Sequence, residues 1–164
     1  MHGVVATGSL LLKMKIFCNQ LCPFCSECDT IMHIFYECRR LIPLFSILNS
    51  FIVNFFPDIK SCPKDWWFCG VPFVYGCYIN IKKFLLINWL IVLARKSIYV
   101  SRNNKLNGVL PDGVLYIFQS RVKHRLIIEF QYAVYIGERE KFLVNWCLDS
   151  LRCYIVNNTL SYHW

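Results

Sequence analysis

Five cysteines, Cys18, Cys22, Cys25, Cys28 and Cys38, fall within 21 residues of this 164-residue chain, with His33 among them. The segment Cys22-Pro23-Phe24-Cys25, followed by His33 and Cys38, spells C-x2-C-x7-H-x4-C. Two thiolates separated by two residues can grip one metal ion from a tight turn, and a second pair three to five residues apart is the spacing that closes tetrahedral zinc sites. Three soft thiolates and one imidazole make a closed Cys3His set, which points to structural Zn2+ without an open coordination position. Such ligation would also hold together a small, turn-rich segment that has no core of its own. Spacing alone leaves the set open, because Cys22, Cys25 and Cys28 also read as C-x2-C-x2-C and Cys18 lies close by. Cys62, Cys69, Cys77, Cys147 and Cys153 are scattered, which suits free buried thiols acting as small hydrophobes. The N-terminus lacks a basic residue ahead of its mildly apolar Val4–Leu12 stretch, so a secretory leader is not expected. The expected location is intracellular, nucleus or cytoplasm, where ten cysteines do not imply five disulfides.

The second chemical feature is a block of charge. Residues 82–125 carry nine basic and one acidic side chain, a net of +8, while the flanking stretches hold +1 and −1. Clustered Lys and Arg that neutralise phosphates supply the sequence-independent part of nucleic-acid affinity. Trp89, Tyr99, Tyr116 and Phe118 lie in the same block and offer rings for stacking on unpaired bases. Arg95, Lys96, Arg102, Arg121, Lys123 and Arg125 are the residues expected to contact RNA or DNA phosphates. His124 reads as a partly exposed helix residue rather than a ligand.

Helices must carry this block. Lys82–Arg102 reads as one helix, with Arg95, Tyr99 and Arg102 at i, i+4 and i+7 on one face. Residues 103–108 read as a polar turn. A second helix is expected from Pro111 or Asp112, with an apolar stripe of Leu115, Phe118, Val122, Leu126, Phe130 and Ala133. Arg125 can pair with Glu129 at i+4, and Gly137 is expected to break the helix before Trp146. Upstream, Leu44, Ile47, Leu48, Phe51, Ile52 and Phe55 predict an apolar helical stripe after Pro43. Trp66–Ile81 is compatible with strands or irregular packing.

Composition bounds the rest. The chain is 56% hydrophobic and only 17% charged, with mean hydropathy +0.40, which excludes an intrinsically disordered chain. A spanning helix needs about 20 mostly apolar residues. The charge-free run Leu41–Pro57 contains prolines, asparagines and serines, Trp66–Ile81 contains Gly70, Pro72 and Gly76, and Phe84–Ala94 has only eleven residues. A membrane is therefore not the expected partner, although a small membrane-associated helical protein is the first alternative. Enzymatic signatures are also missing. The five aspartates lie at least seven positions apart, so no adjacent carboxylate pair is available for two-metal nucleotidyl transfer. There is no P-loop, nucleophile elbow or HExxH.

The segments Leu12–Ile16, Leu21–Cys25 and Asp29-Thr30-Ile31-Met32-His33-Ile34-Phe35-Tyr36-Glu37-Cys38 resemble the zinc-binding C-terminal region of LINE-type (non-LTR) retrotransposon reverse transcriptases. That family shows C-P-x-C, an acidic residue before Thr, then H-x-F-x-x-C. The resemblance implies Cys22, Cys25, His33 and Cys38 as the zinc ligands and gives Cys28 no counterpart. Where the family often has a Trp after the last Cys, this chain has Phe45. Weaker likeness continues through Phe68-Cys69-Gly70, Leu93–Tyr99 and Pro111–Trp146, so it covers residues 10–147 and is strong only over 12–38.

The expectation is a mainly α protein, with a small N-terminal zinc knuckle followed by long antiparallel helices. The regions are a knuckle at 10–45, an apolar connector at 46–81, a basic helical hairpin at 82–147 and a tail at 148–164. The resemblance implies a non-catalytic, nucleic-acid-associated remnant of a reverse transcriptase. Its partners would be RNA or DNA, and the missing polymerase portion or another protein. The second alternative is a zinc-stabilised protein-interaction module.

Overall fold

The computed structural model describes residues 5–16, 19–73, 81–109, 113–146, 153–156 and 159–162. The architecture is mainly α, as the apolar periodicity predicts. Helix α1, Gly8–Lys13, is capped by Thr7, whose side chain accepts the Leu10 N–H at 3.1 Å. Its first residue must be glycine. A Cβ at Gly8 would stand 2.5 Å from the Asn19 carbonyl oxygen and 2.7 Å from the Gln20 Cα. The helix start is thereby pressed against the strand-like entry to the cysteine-rich turn.

Helix α2, Ile42–Phe55, starts with Pro43 in its first turn, where a missing N–H costs nothing. It buries Leu44, Leu48, Phe51 and Ile52, and packs Ile47 and Phe55 at the core margin. Helix α3, Lys64–Cys69, falls in the stretch whose sequence left strands open, and buries Trp66 and Trp67. Residues 74–80 lie outside the described set.

Helix α4, Ile81–Leu106, is the central strut, about 39 Å long at 1.5 Å per residue. Phe84, Ile87, Leu90, Ile91, Ala94 and Ile98 run down its buried side. It continues past the expected end at Arg102, because buried Ser101 and Arg102 tie its last turns into the protein. Residues 103–106, expected in the turn, are therefore helical. Gly108 adopts φ +71, while Gly108 N–H and Val109 N–H close the helix on the carbonyls of Lys105 and Asn104.

Helix α5, Val114–Tyr135, returns antiparallel to α4; the expected start at Pro111 or Asp112 lies outside the described residues. Phe118, Val122, Leu126 and Ala133 are buried as the stripe predicts, and Phe130 packs at the core margin. Leu115 is only half-buried, since Val114 and Ile117 take the inward positions of the first turn. Gly137 ends the helix at φ +74, and Glu138 N–H caps the Ala133 carbonyl at 2.8 Å. Helix α6, Arg139–Trp146, then folds back, with Phe142 set edge-on to Phe130 at 5.3 Å. The segment expected as a plain tail contains an antiparallel pair, β1 Cys153–Val156 and β2 Thr159–Tyr162, with Cys153 opposite Tyr162. Cys153 is buried in the same apolar cluster that includes Cys22, Leu44, Trp67, Leu90 and Phe118.

Candidate metal centre and basic trough

Residues 20–29 make a tight hairpin. Leu21 bridges Cys28, Cys22 N–H donates to the Glu27 carbonyl at 2.6 Å, and Asp29 N–H donates to the Gln20 carbonyl at 2.7 Å. Ser26 takes φ +65 at the tip, letting the chain reverse within four residues of Cys22. Cys22 and Cys25 therefore face one point. Phe24 N–H donates to Cys22 Sγ at 3.4 Å, a contact that favours a thiolate.

The other two donors come from an unusual helical turn. His33–Glu37 is a π-turn, in which Cys38 N–H donates to the His33 carbonyl at 2.9 Å. An α-turn brings residues i and i+4 together, whereas four intervening residues place Cys38 at i+5 from His33. The wider turn restores their alignment. Thr30 Oγ1 accepts the His33 N–H at 3.0 Å and fixes where this turn begins.

The four donor atoms of Cys22, Cys25, His33 and Cys38 all lie within 4.8 Å of one another, so the group could hold a metal ion. Cys25 Sγ is 3.1 Å from His33 Nε2 and 3.6 Å from Cys38 Sγ. Those separations approach the edges of a tetrahedron with metal–sulfur bonds of 2.3 Å, where sulfurs stand about 3.8 Å apart. Nδ1 of His33 faces the Glu27 carboxylate at 3.4 Å, an outer contact of the kind that fixes a ligating imidazole's tautomer. Burial raises the Cys22 thiol, and burial first, then the neighbouring Cys22 and Cys25, pushes Cys38 up to about 12. A divalent ion among the donors would compensate the thiolate charge that burial disfavours at Cys22 and Cys38. The donor set thus fits a metal. Cys28 is exposed and stands outside the group, while Cys18 lies outside the described residues.

The cluster is clasped to α4 by a contact the sequence did not reveal. Asp29 and Arg102 are 1% and 4% exposed and form an ion pair at 2.7 Å. Asp29 Oδ2 also accepts the Gly8 N–H at 2.6 Å, and Arg102 donates to the Ala6 carbonyl at 3.1 Å. This overturns the expected placement of Arg102 among phosphate-contacting residues. Its guanidinium is spent inside the protein, joining α1, the hairpin and α4. Helical spacing put it on a face with Arg95 and Tyr99, but its partner is 73 residues away.

Arg95 is half-buried as well, with Nη1 donating to the Phe68 carbonyl at 2.8 Å. Lys96, Arg121 and Lys123 are exposed. Arg125 pairs with Glu129 at 2.7 Å, the i+4 contact its spacing predicts, and its guanidinium lies 4.3 Å over the Trp89 ring. Glu129 also accepts from the Trp146 indole N–H. Around this cluster lie two open hollows, one between α4, α5 and α6 and one between α4 and α5. One of about 490 Å³ is lined by Lys82, Lys83, Trp89, Arg125, Glu129 and Trp146. The other, of about 570 Å³, is lined by Trp89, Lys96, Arg121, His124 and Arg125. Trp89 and Arg125 line both hollows of this basic trough.

The chain is 29% identical over 161 residues, 98% of its length, to the Xenopus laevis protein named "Transposon TX1 uncharacterized 149 kDa protein". It is similar to a transposon protein. The matched stretch spans 12% of that protein's length. No protein-family profile matches the chain. No solved structure matches it. Helix Ile81–Leu106 is long and apolar enough, by length and composition, to cross a membrane, and half of its most apolar window is buried against the rest of the chain. Lys82, Lys83, Arg95 and Lys96 interrupt its charge-free run, which is only eleven residues long in the sequence.

Proposed function

We propose that the chain is a zinc-stapled, nucleic-acid-associated module corresponding to the C-terminal region of a LINE-type reverse transcriptase, without catalytic activity of its own. Cys22, Cys25, His33 and Cys38 bind structural Zn2+, which supplies cross-linking charge to a segment of turns. Lys96, Arg121 and Lys123, with Arg95 and Arg125 in supporting positions, face RNA or DNA phosphates from the hairpin of α4 and α5. The working location is the nucleus or cytoplasm. The observation that carries the reading is the four-donor cluster in a chain that matches a transposon protein along almost its whole length.

A phosphate-binding surface has a characteristic signature: log affinity falls with log salt in proportion to the phosphates neutralised. Zinc-loaded protein should retain single-stranded RNA or duplex DNA at low salt and lose it as salt rises. Lys96→Glu with Arg121→Glu should lower both the affinity and the slope. Absence of salt-sensitive retention in the unmodified chain would reject the nucleic-acid role. Docking on the remaining polymerase portion is a compatible second role, favoured by exposed Ile128, Tyr132 and Tyr135 on α5. The same charge reversal would leave such an apolar interface intact.

A further inference from the structure

The trough has a feature that phosphate binding alone does not require. Trp89 is half-buried and set edge-on to Trp146 at 6.1 Å, and Arg125 lies over both rings, 4.3 Å from the Trp89 centroid and 5.5 Å from that of Trp146. Glu129 fixes both neighbours by accepting from Arg125 Nε and from the Trp146 indole. Its carboxylate also cancels the charge of Arg125. What remains at the centre is a rigid stacked plane with little net charge, and the Arg125 side chain still has 39% of its surface open. Cationic side chains stand at the two ends, Lys82 and Lys83 at one, Lys96 and Arg121 at the other.

We propose that this trough is a single-strand groove, in which one unpaired base lies against the Trp89–Arg125 plane and the backbone on either side meets the two cationic ends. The inference rests on the nucleic-acid reading above and narrows it from phosphate contact to a base-stacking site. Aromatic and guanidinium planes hold bases that are free to splay out, and a duplex keeps its bases stacked on each other. Each hollow has the size of a small-molecule pocket, about 300–1,000 Å³, which suits one or two nucleotides rather than a double helix. An acidic peptide would match the cationic ends but leave the central plane without a partner.

The test uses the full zinc-loaded chain with a ten-residue oligouridylate, a duplex of equal phosphate number and polyglutamate as competitor. The single strand should bind more tightly than the duplex. Trp89→Leu should weaken single-strand binding about 5- to 150-fold, the range for loss of one stacked base, and leave duplex binding unchanged. Trp89→Phe should restore most of the loss, and melting curves of both variants separate stacking from folding. Single-strand and duplex binding that fall equally in Trp89→Leu, or not at all, would overturn the groove while leaving the nucleic-acid reading standing. Polyglutamate competing as well as the oligonucleotide would also overturn it. If the unmodified chain binds neither nucleic acid, the broader reading fails with it.

Discussion

The cysteine-rich hairpin and the α4–α5 hairpin solve the same problem with different physics. The helical pair buries Phe118, Val122 and Leu126 against Leu90, Ala94 and Ile98, so apolar area holds it. The cysteine-rich segment places only a few side chains, such as Ile34, Phe35 and Leu41, in the core. Its shape instead comes from short backbone contacts, four converging donors and one buried ion pair. A structure held by directional bonds tolerates loss of any single bond poorly. One held by area degrades more gradually.

One of the two largest expected effects falls on the clasp between the two regions. Arg102→Ala leaves Asp29 buried without a counter-charge and should cost about 3–5 kcal/mol in chemical denaturation. Asp29→Asn combined with Arg102→Met should recover much of that loss, since removing both charges removes the uncompensated one. Nucleic-acid affinity and its salt slope, measured where Arg102→Ala is still folded, should stay unchanged. A reduced slope would mean that Arg102 reaches phosphate after all.

Truncating the helical core probes the other side. Phe118→Ala should cost about 3–5 kcal/mol by opening a cavity between α4 and α5. Metal stoichiometry measured under folding conditions should not change, because the four donors lie on a separate stretch of chain. If metal binding fell with it, the hairpin of residues 20–29 would depend on the helices for its shape.

A smaller effect belongs to alkaline pH. Burial pushes the Cys62 thiol up to about 11 from an ordinary 9.0. The folded state thus keeps a proton that the unfolded chain releases, so the associated stability is fully present below about 9 and is lost as pH rises through about 11. Denaturation midpoints should decline across that window, and Cys62→Ala should flatten the decline. Metal affinity has the opposite sign at low pH. Three thiols must give up protons to bind, so affinity falls as acid is added.

The two regions also differ in how far the sequence discloses them. Ligand spacing is local chemistry, and C-x2-C with H-x4-C points to the donors that the structure gathers, although it takes the fold to set Cys28 outside the group. The helices were equally legible where an apolar stripe repeats, as in Leu44 to Phe55 and Phe118 to Ala133. Periodicity assigns a residue to a face and says nothing of what that face meets. Arg102 and Arg95 looked like surface cations because their partners, Asp29 and the Phe68 carbonyl, are distant in sequence. Asp29 was visible only as the acidic residue before Thr30. The trough was hidden for the same reason, since Trp89, Arg125 and Trp146 come from three helices. Helix α3 and the β1–β2 pair were missed because six- and four-residue elements carry too few periods to read.

Everything proposed for the cysteine-rich hairpin turns on a closed site of three sulfurs and one nitrogen on this chain. X-ray absorption of the zinc-loaded protein reads that shell directly. One Zn2+ per chain is expected, with sulfur scatterers at about 2.3 Å and a single imidazole nitrogen at about 2.0–2.1 Å, in a three-to-one ratio. His33→Ala should remove the nitrogen and most of the bound metal. A four-sulfur shell, which would bring in Cys28 or Cys18, would contradict it. So would an oxygen-rich shell, or well under one equivalent of zinc.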